Sequence, residues 1–353
     1  MNTGSAMTVV VVGAGIVGAS VAYHLSRLGV RVTIVEAERV ASGVTSTSFA
    51  WINTCCSGAD PVAPLRAAAI ADYRRLEAEL PGVNVQWTGA LTYGISPMPA
   101  ACAKSAGVAT VSCAEILALE PNLKHPPVQA VYAAEEGALN AVDVTWALIE
   151  GARGHGARLM EGTQVLGFTE RADRVSGVRT SSGVIDADLV VLAAGTGITA
   201  LMGSLGYSLA LEASPAIYIR YRSPSRLVRG IVSNAAMEVR QGKDGSLLAA
   251  EDYLDDAVDN RAEAIALRAA GAIKSELHGV ASLDVVEACV GLRPVPSDGT
   301  PLVGYVPGIG GVYVCVMHPG VTLAATVGRL VGAEIVSGVE AADLAACRLE
   351  RFG

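Results

Sequence analysis

The chain has 353 residues, 51% of them hydrophobic and 17% charged, which is enough apolar material for a large core and about two domains. The formal net charge is −8 and no Lys/Arg run occurs, which argues against nucleic acid or an anionic membrane surface as partner. The seven cysteines show no CxxC pair, and only Cys55 and Cys56 are adjacent, so neither a disulfide framework nor a metal site is expected and a cytoplasmic setting is.

The first predicted strand is Val9–Val12, a β-branched run suited to a strand buried on both faces of a parallel sheet. A helix is predicted from Ile16 to Leu28, with Val17, Val21, Leu25 and Leu28 at helical spacing and Gly29 at its end. A second strand, Val32–Val35, stops at Glu36. Gly13, Gly15 and Gly18 thus form G-A-G-I-V-G between a strand and a helix, with an acid 18 positions beyond Gly18. The first glycine permits the tight turn, the second lets backbone approach a pyrophosphate, and the third lets helix and strand pack closely. The N–H groups of Gly15, Ile16 and Val17 would face the phosphates at the positive end of the helix dipole. Glu36 would accept from ribose hydroxyls and repel a 2′-phosphate. A dinucleotide site of Rossmann type is therefore expected at this point.

The next stretch, ASGVTSTS at 41–48, supplies small residues and hydroxyls that line a pyrophosphate path or form an ordinary polar loop. SFAWINTCC at 48–56 follows, where Trp51 and Asn53 are candidates for the substrate side and Trp51 is equally a core residue. Pro64–Leu80 has a helical pattern. Further on, Val165 in TQVLGF is placed to cover an adenine edge. Val184–Ile185 and Leu189–Leu192 read as strands, the second running into Ala193, Ala194 and Gly195, small residues that let backbone crowd a cofactor. Asn260–Leu277 is predicted to be a covering helix. Near the C-terminus a strand, Val312–Val316, leads through His318-Pro319-Gly320 into a helix running from about Val321 through Leu330. Two strand–turn–helix termini suit a long cofactor, the second facing a flavin pyrimidine ring that becomes negative on reduction. No stretch reaches the ~20 uninterrupted apolar residues of a membrane span, Ala187–Met202 coming nearest.

Taken together, VVGAGIVG with Glu36, the Gly43 loop, LVVLAAG and GLRPVPSDGTPLVG resemble the D-amino-acid-oxidase-like (DAO) family of FAD-dependent amine oxidoreductases, over nearly the whole chain. The resemblance implies an α/β fold: a discontinuous, GR2-type Rossmann-like FAD-binding domain from 1–85, 143–215 and 289–353. A substrate domain on a mixed or antiparallel sheet, from 86–142 and 216–288, would be interleaved with it. It implies FAD held by Gly13, Gly15, Ile16, Val17, Gly18, Glu36, Ala37, Ser42, Gly43, Thr45 and Ser46, by Val165, Ala193, Ala194 and Gly195, and by Gly320, Val321, Thr322 and Leu323.

For the reaction, the resemblance implies oxidation of a C–N bond of an amine or amino acid, by hydride transfer to flavin N5 with an imine product. The electrons then pass to O2 or another acceptor. Arg293 of GLRP matches the arginine that holds a substrate carboxylate in amino-acid-oxidising members, and a guanidinium fork suits that task; the alternative is that it ties down neighbouring backbone. His318 is a structural histidine or a group near the substrate amine. Members with covalent flavin carry a cysteine where this chain has Gly291, two residues from Cys289, so non-covalent FAD is expected. Some members place a carboxylate-gripping tyrosine where Ala236 or Met237 stands here, which leaves Tyr218, Tyr221 or Tyr253 to complete the grip. The oxygen-activating lysine of other members is matched by neither Lys243 nor Lys274. A flavoprotein subunit needing a partner, a flavin-dependent monooxygenase and a plain NAD dehydrogenase are the rival readings, and a homo-oligomer is compatible with the sequence.

Overall fold

The computed structural model describes residues 6–54, 60–95 and 107–352; Cys55 and Cys56 lie outside them. Its first sheet has six strands in the lateral order Leu302–Tyr305, Val312–Val316, Leu189–Leu192, Thr8–Val12, Arg31–Val35 and Arg158–Met160. The last five are parallel, and Leu302–Tyr305 joins as an antiparallel edge. The valine run is explained by burial on both faces. Val9 and Val11 enter the core beneath the helices, whereas Val10 and Val12 enter the core beneath the three-stranded sheet Val165–Arg171, Arg174–Thr180, Gly183–Asp186. A strand covered on both sides has no polar face to alternate.

Helices Ile16–Arg27, Ala141–Gly154 and Gly320–Ser337 cover the opposite face of the sheet. The first and last cross closely. Ser20 Oγ donates to Ala324 O at 2.7 Å, and a Cβ on Gly328 would lie 2.2 Å from that same hydroxyl. Gly320–Ser337, longer than the sequence pattern suggested, is apolar and long enough to cross a membrane, but two thirds of it is buried inside the protein.

The second sheet has eight strands, ordered Asp284–Pro296, Leu211–Arg222, Leu247–Asp252, Glu238–Gln241, Ile231–Ser233, Ala90–Thr92, Gln129–Ala133 and Val108–Ser112. It is mixed: Ala90–Thr92 pairs in parallel with Ile231–Ser233, and every other neighbour is antiparallel. Helix Ala262–Glu276 buries one face through Ile265, Ala266, Ala269 and Ile273, against Ile217, Ile219, Val239 and Ala249. The other face carries Ala216, Tyr218, Glu238 and Ala250 into the wall of a large cavity. Arg240 ties this sheet to the rest. Its Nε donates to Phe49 O at 2.6 Å and its Nη2 to Leu139 O at 2.9 Å, while the guanidinium lies over the Phe49 ring. Strands Leu211–Arg222 and Asp284–Pro296 pair along their lengths, so the expected cuts at 215 and 288 fall inside continuous strands.

Candidate functional site

The opening strand ends at Val12, and Gly13 turns the chain with φ +102°. A Cβ there would lie 2.5 Å from Ala193 O, and one on Gly18 would lie 2.1 Å from Gly13 O. Neither position has room for any side chain, so helix and strand close on each other through hydrogen atoms alone. The Ile16 N–H in the first helical turn is capped by Thr45 Oγ1 at 3.1 Å. Glu36, just past the second strand, is oriented by two backbone donors: Oε2 accepts from Ala14 N–H at 2.7 Å and Oε1 from Glu38 N–H at 2.9 Å.

A cavity of about 1200 Å³ opens on this turn and runs between the two sheets. It brings together Gly13, Gly15, Ile16, Val17, Glu36, Ala37, Ser42, Gly43 and Thr45 from the N-terminal segment. Val165, Ala193, Ala194 and Gly195 join them from the middle of the chain, Gly320, Val321 and Thr322 from the start of the last helix, and Trp51, Asn53, Arg293 and His318 from the expected substrate side. The N-termini of helices Ile16–Arg27 and Gly320–Ser337 therefore meet in one wall, where Gly320 lies so near Val17 that a Cβ would touch it at 3.4 Å.

Three expected cofactor residues stand elsewhere. Gly18 is spent on packing, as its contact with Gly13 requires. Ser46 turns its N–H and its hydroxyl back onto Gly43 O, both at 3.0 Å. Leu323 is fully buried, with its N–H bonded to Pro319 O at 3.0 Å. None of the three belongs to the cavity wall.

The chemistry of this wall fits FAD. The first-turn N–H groups and positive dipole ends of two helices suit a pyrophosphate and an electron-rich pyrimidine edge. An acid fixed at the end of the second strand suits a ribose. The Ala193-Ala194-Gly195 wall lets a flat ring lie close. Gly291, where covalent members carry cysteine, is crowded: a Cβ there would lie 2.3 Å from Thr47 Oγ1, which would have to shift to admit one. Cys289 pairs instead with Tyr218 one step down the sheet, its thiol toward Glu287.

On the substrate side, Trp51 Nε1 donates to the buried Glu136 at 2.8 Å, which fixes the indole. Asn53 is held at both ends of its backbone: its N–H donates to Thr322 Oγ1 at 3.2 Å and its carbonyl accepts from Arg66 Nη1 at 3.1 Å. Arg293 Nη2 donates to Ser214 Oγ at 3.0 Å and Pro215 O at 3.2 Å, and its Nε to Ser214 O at 3.4 Å. Part of the fork thus ties down backbone, as the alternative reading held, yet no acid among the described residues pairs with Arg293. His318 opens onto the same space, and burial, helped by Arg293 and Arg66, holds its imidazole below its ordinary pKa. Of the three candidate tyrosines only Tyr218 lines the cavity. Tyr221 is buried on the far face, donating to Ala266 O at 2.6 Å, and the half-buried Tyr253 packs against that same core and bonds Asp256. Lys243 and Lys274 stand outside it.

Sequence reading missed two features of this wall. Arg66, in the first turn of helix Ala63–Glu79, pairs with Asp60 at 2.7 Å. Glu238 follows Met237 and precedes Val239, which are both core residues on the other face. That two-residue alternation was the available signal.

Residues 8–334 match the family described as FAD dependent oxidoreductase, DAO. Among curated relatives, glycine oxidase of Pseudomonas aeruginosa is 27% identical over 348 residues, covering 94% of this chain and 95% of that protein. Among solved structures, glycine oxidase from Geobacillus kaustophilus superposes with a TM-score of 0.85 at 23% identity, covering 97% of this chain and 98% of that one. L-amino acid deaminase from Proteus vulgaris gives a TM-score of 0.87 at 19% identity, covering 100% and 96%. At these identities the structural likenesses establish the fold.

Proposed function

The chain belongs to the DAO family of FAD-dependent oxidoreductases, and on that premise we propose that it oxidises a C–N bond of an amino acid or related carboxylated amine. The observation that carries this reading is Arg293, a cation without an acidic partner among the described residues, in the wall of a cavity that also gathers two helix N-termini and His318. Glycine oxidase among the relatives supports it. The family membership sets aside the plain NAD dehydrogenase.

In this reading Gly13, Gly15, Ile16, Val17, Glu36, Ala37, Ser42, Gly43, Thr45, Val165, Ala193, Ala194, Gly195, Gly320, Val321 and Thr322 hold FAD non-covalently. When bound, FAD supplies a two-electron acceptor for the hydrogen on the carbon next to nitrogen. The remaining work falls to the chain. Arg293 receives the substrate carboxylate and sets the C–H bond in line. Burial, with the positive charge of Arg293 and Arg66, holds the His318 imidazole below its ordinary pKa, and that same positive charge favours the substrate amine in its neutral form, its proton leaving to solvent. The N–H groups at the start of the last helix stabilise negative charge placed before them. The C–H bond breaks, a C=N bond forms, and water hydrolyses the imine. Electrons leave for O2 or another acceptor. The division into an FAD-binding and a substrate domain belongs to the same proposal, with its boundaries at the ends of the long strands, as does a cytoplasmic enzyme.

The test is turnover of an amine panel with an artificial electron acceptor, measuring the aldehyde or keto acid released. Product from carboxylated amines, and loss of it in Arg293→Met, is expected. Product equally abundant from amines lacking a carboxylate would overturn the role of Arg293.

A further inference from the structure

The cavity face of the eight-stranded sheet carries a second charge that this reaction does not use. Glu238 sits on strand Glu238–Gln241 in register with Ala250, which is in register with Tyr218. Arg293 is in register with Ser214, four residues before Tyr218 on the same strand, so the two charged side chains share one face. Both line the cavity. Glu238 is three strands from Arg293 and four residues along, roughly 20 Å away at the backbone by ordinary sheet spacing. The Arg293 head leans over Ser214 and Pro215 of the neighbouring strand, and the Glu238 carboxyl accepts from Ser233 on the strand beyond its own, so the two charges stand at separate points along one cavity face, as the two ends of an extended molecule would require.

Three other acids of the wall are already compensated. Asp60 pairs with Arg66, Asp298 with Arg351, and Glu36 with backbone N–H groups. Glu238 receives only the Ser233 hydroxyl, at 3.1 Å, and no Lys or Arg among the described residues pairs with it. Burial and the nearby Asp252 push its carboxyl pKa up. A carboxylate in this position is costly until a cation arrives.

We propose that the substrate is an amino acid bearing a second, distal cationic nitrogen, with its carboxylate on Arg293 and its distal ammonium or guanidinium on Glu238. This assignment rests on the amine-oxidising reading above and narrows it to a substrate class. Arg293 and Glu238 thereby measure the molecule's length. A substrate lacking the distal cation leaves Glu238 without a partner.

The experiment compares flavin reduction in the FAD-loaded protein by both enantiomers, and the N-methyl forms, of lysine, ornithine and arginine with norleucine and 2-aminoadipate. Wild type should prefer a cationic member to norleucine by roughly 10- to 100-fold in kcat/KM, the size of a charge-assisted hydrogen bond. Glu238→Gln should keep its flavin spectrum and bring that ratio within about threefold. A second readout needs no turnover: saturating cationic ligand should raise Tm in wild type more than norleucine does, and the difference should vanish in Glu238→Gln. Norleucine preferred over every cationic amine, or a ratio that Glu238→Gln leaves unchanged, would overturn the proposal while sparing the amine reading. No reduction by any amine in this panel would overturn the proposal, and no turnover across the wider panel of carboxylated amines as well would overturn the amine reading with it.

Discussion

Replacing Gly18 with alanine asks the most of the fold for the smallest chemical change. Alanine is the better helix former, so propensity alone predicts stabilisation by about 1 kcal/mol. The structure predicts the opposite. The new Cβ would sit 2.1 Å from Gly13 O and 3.3 Å from the Ala193 Cβ. An ordinary carbon–oxygen contact is about 3.3–3.6 Å, so the helix must withdraw by roughly 1 Å. Overpacking of this kind costs about 1–3 kcal/mol. Withdrawal also moves Gly15, Ile16 and Val17 in the cavity wall, and misplaced pyrophosphate donors should weaken FAD binding by about tenfold or more, which is 1.4 kcal/mol. The control is Gly271→Ala on helix Ala262–Glu276, where nothing lies within 4 Å of the added carbon. That change should stabilise by about 0.5–1 kcal/mol and leave FAD affinity alone. Thermal unfolding and FAD titration of the two variants separate the effects. A Gly18→Ala protein with wild-type Tm and FAD affinity would refute the close-packing account.

Arg293→Met should lower kcat/KM by roughly 10- to 100-fold for carboxylated amines and little for their decarboxylated counterparts, with Arg293→Lys in between. Gly291→Ala forces its Cβ onto Thr47 Oγ1 and should cost about 1–3 kcal/mol, measured by urea unfolding; Thr47→Ala in the same protein should recover most of it, a non-additivity that two independent defects would not show. Acid denaturation of the wild-type protein should release all flavin into the supernatant, and a flavin adduct in its mass spectrum would contradict the non-covalent assignment. His24 is buried with its pKa pushed down to about 4, below the ordinary 6.5. Above pH 6.5 neither state carries that proton and His24 adds nothing to the pH dependence. As pH falls from 6.5 toward 4, the unfolded chain binds a proton the native state refuses, so stability should drop by roughly 3 kcal/mol across that window. His24→Gln should flatten this part of the urea-unfolding profile, and an unchanged slope would place its origin elsewhere.

Features legible in the sequence were those where local geometry dictates residue type. Only glycine suits Gly13 at φ +102°, and only a fully covered strand accepts Val9 to Val12 without a polar position. The second strand–turn–helix terminus was legible for the same reason, and so was the covering helix near Ala262–Glu276. Strand pairing was not, because a two-residue period fixes faces but names no partner. Tyr218 and Tyr221 looked equivalent in the sequence. Three positions apart on one strand, they fall on opposite faces, one in the cavity and one in the core. Arg66 was hidden for another reason. Its helix was readable from Leu65, Ala69, Tyr73 and Leu76, but its bond to Asn53 O depends on where that helix docks.

The most direct test of the amine-oxidation claim is the visible spectrum of the purified, FAD-loaded protein before and after anaerobic addition of carboxylated amines. Flavin absorbance that bleaches with such an amine, and roughly 10- to 100-fold more slowly with the same amine in Arg293→Met at equal subsaturating concentration, is the predicted result. Flavin that bleaches only with NAD(P)H, or protein that takes up no FAD at all, would contradict it.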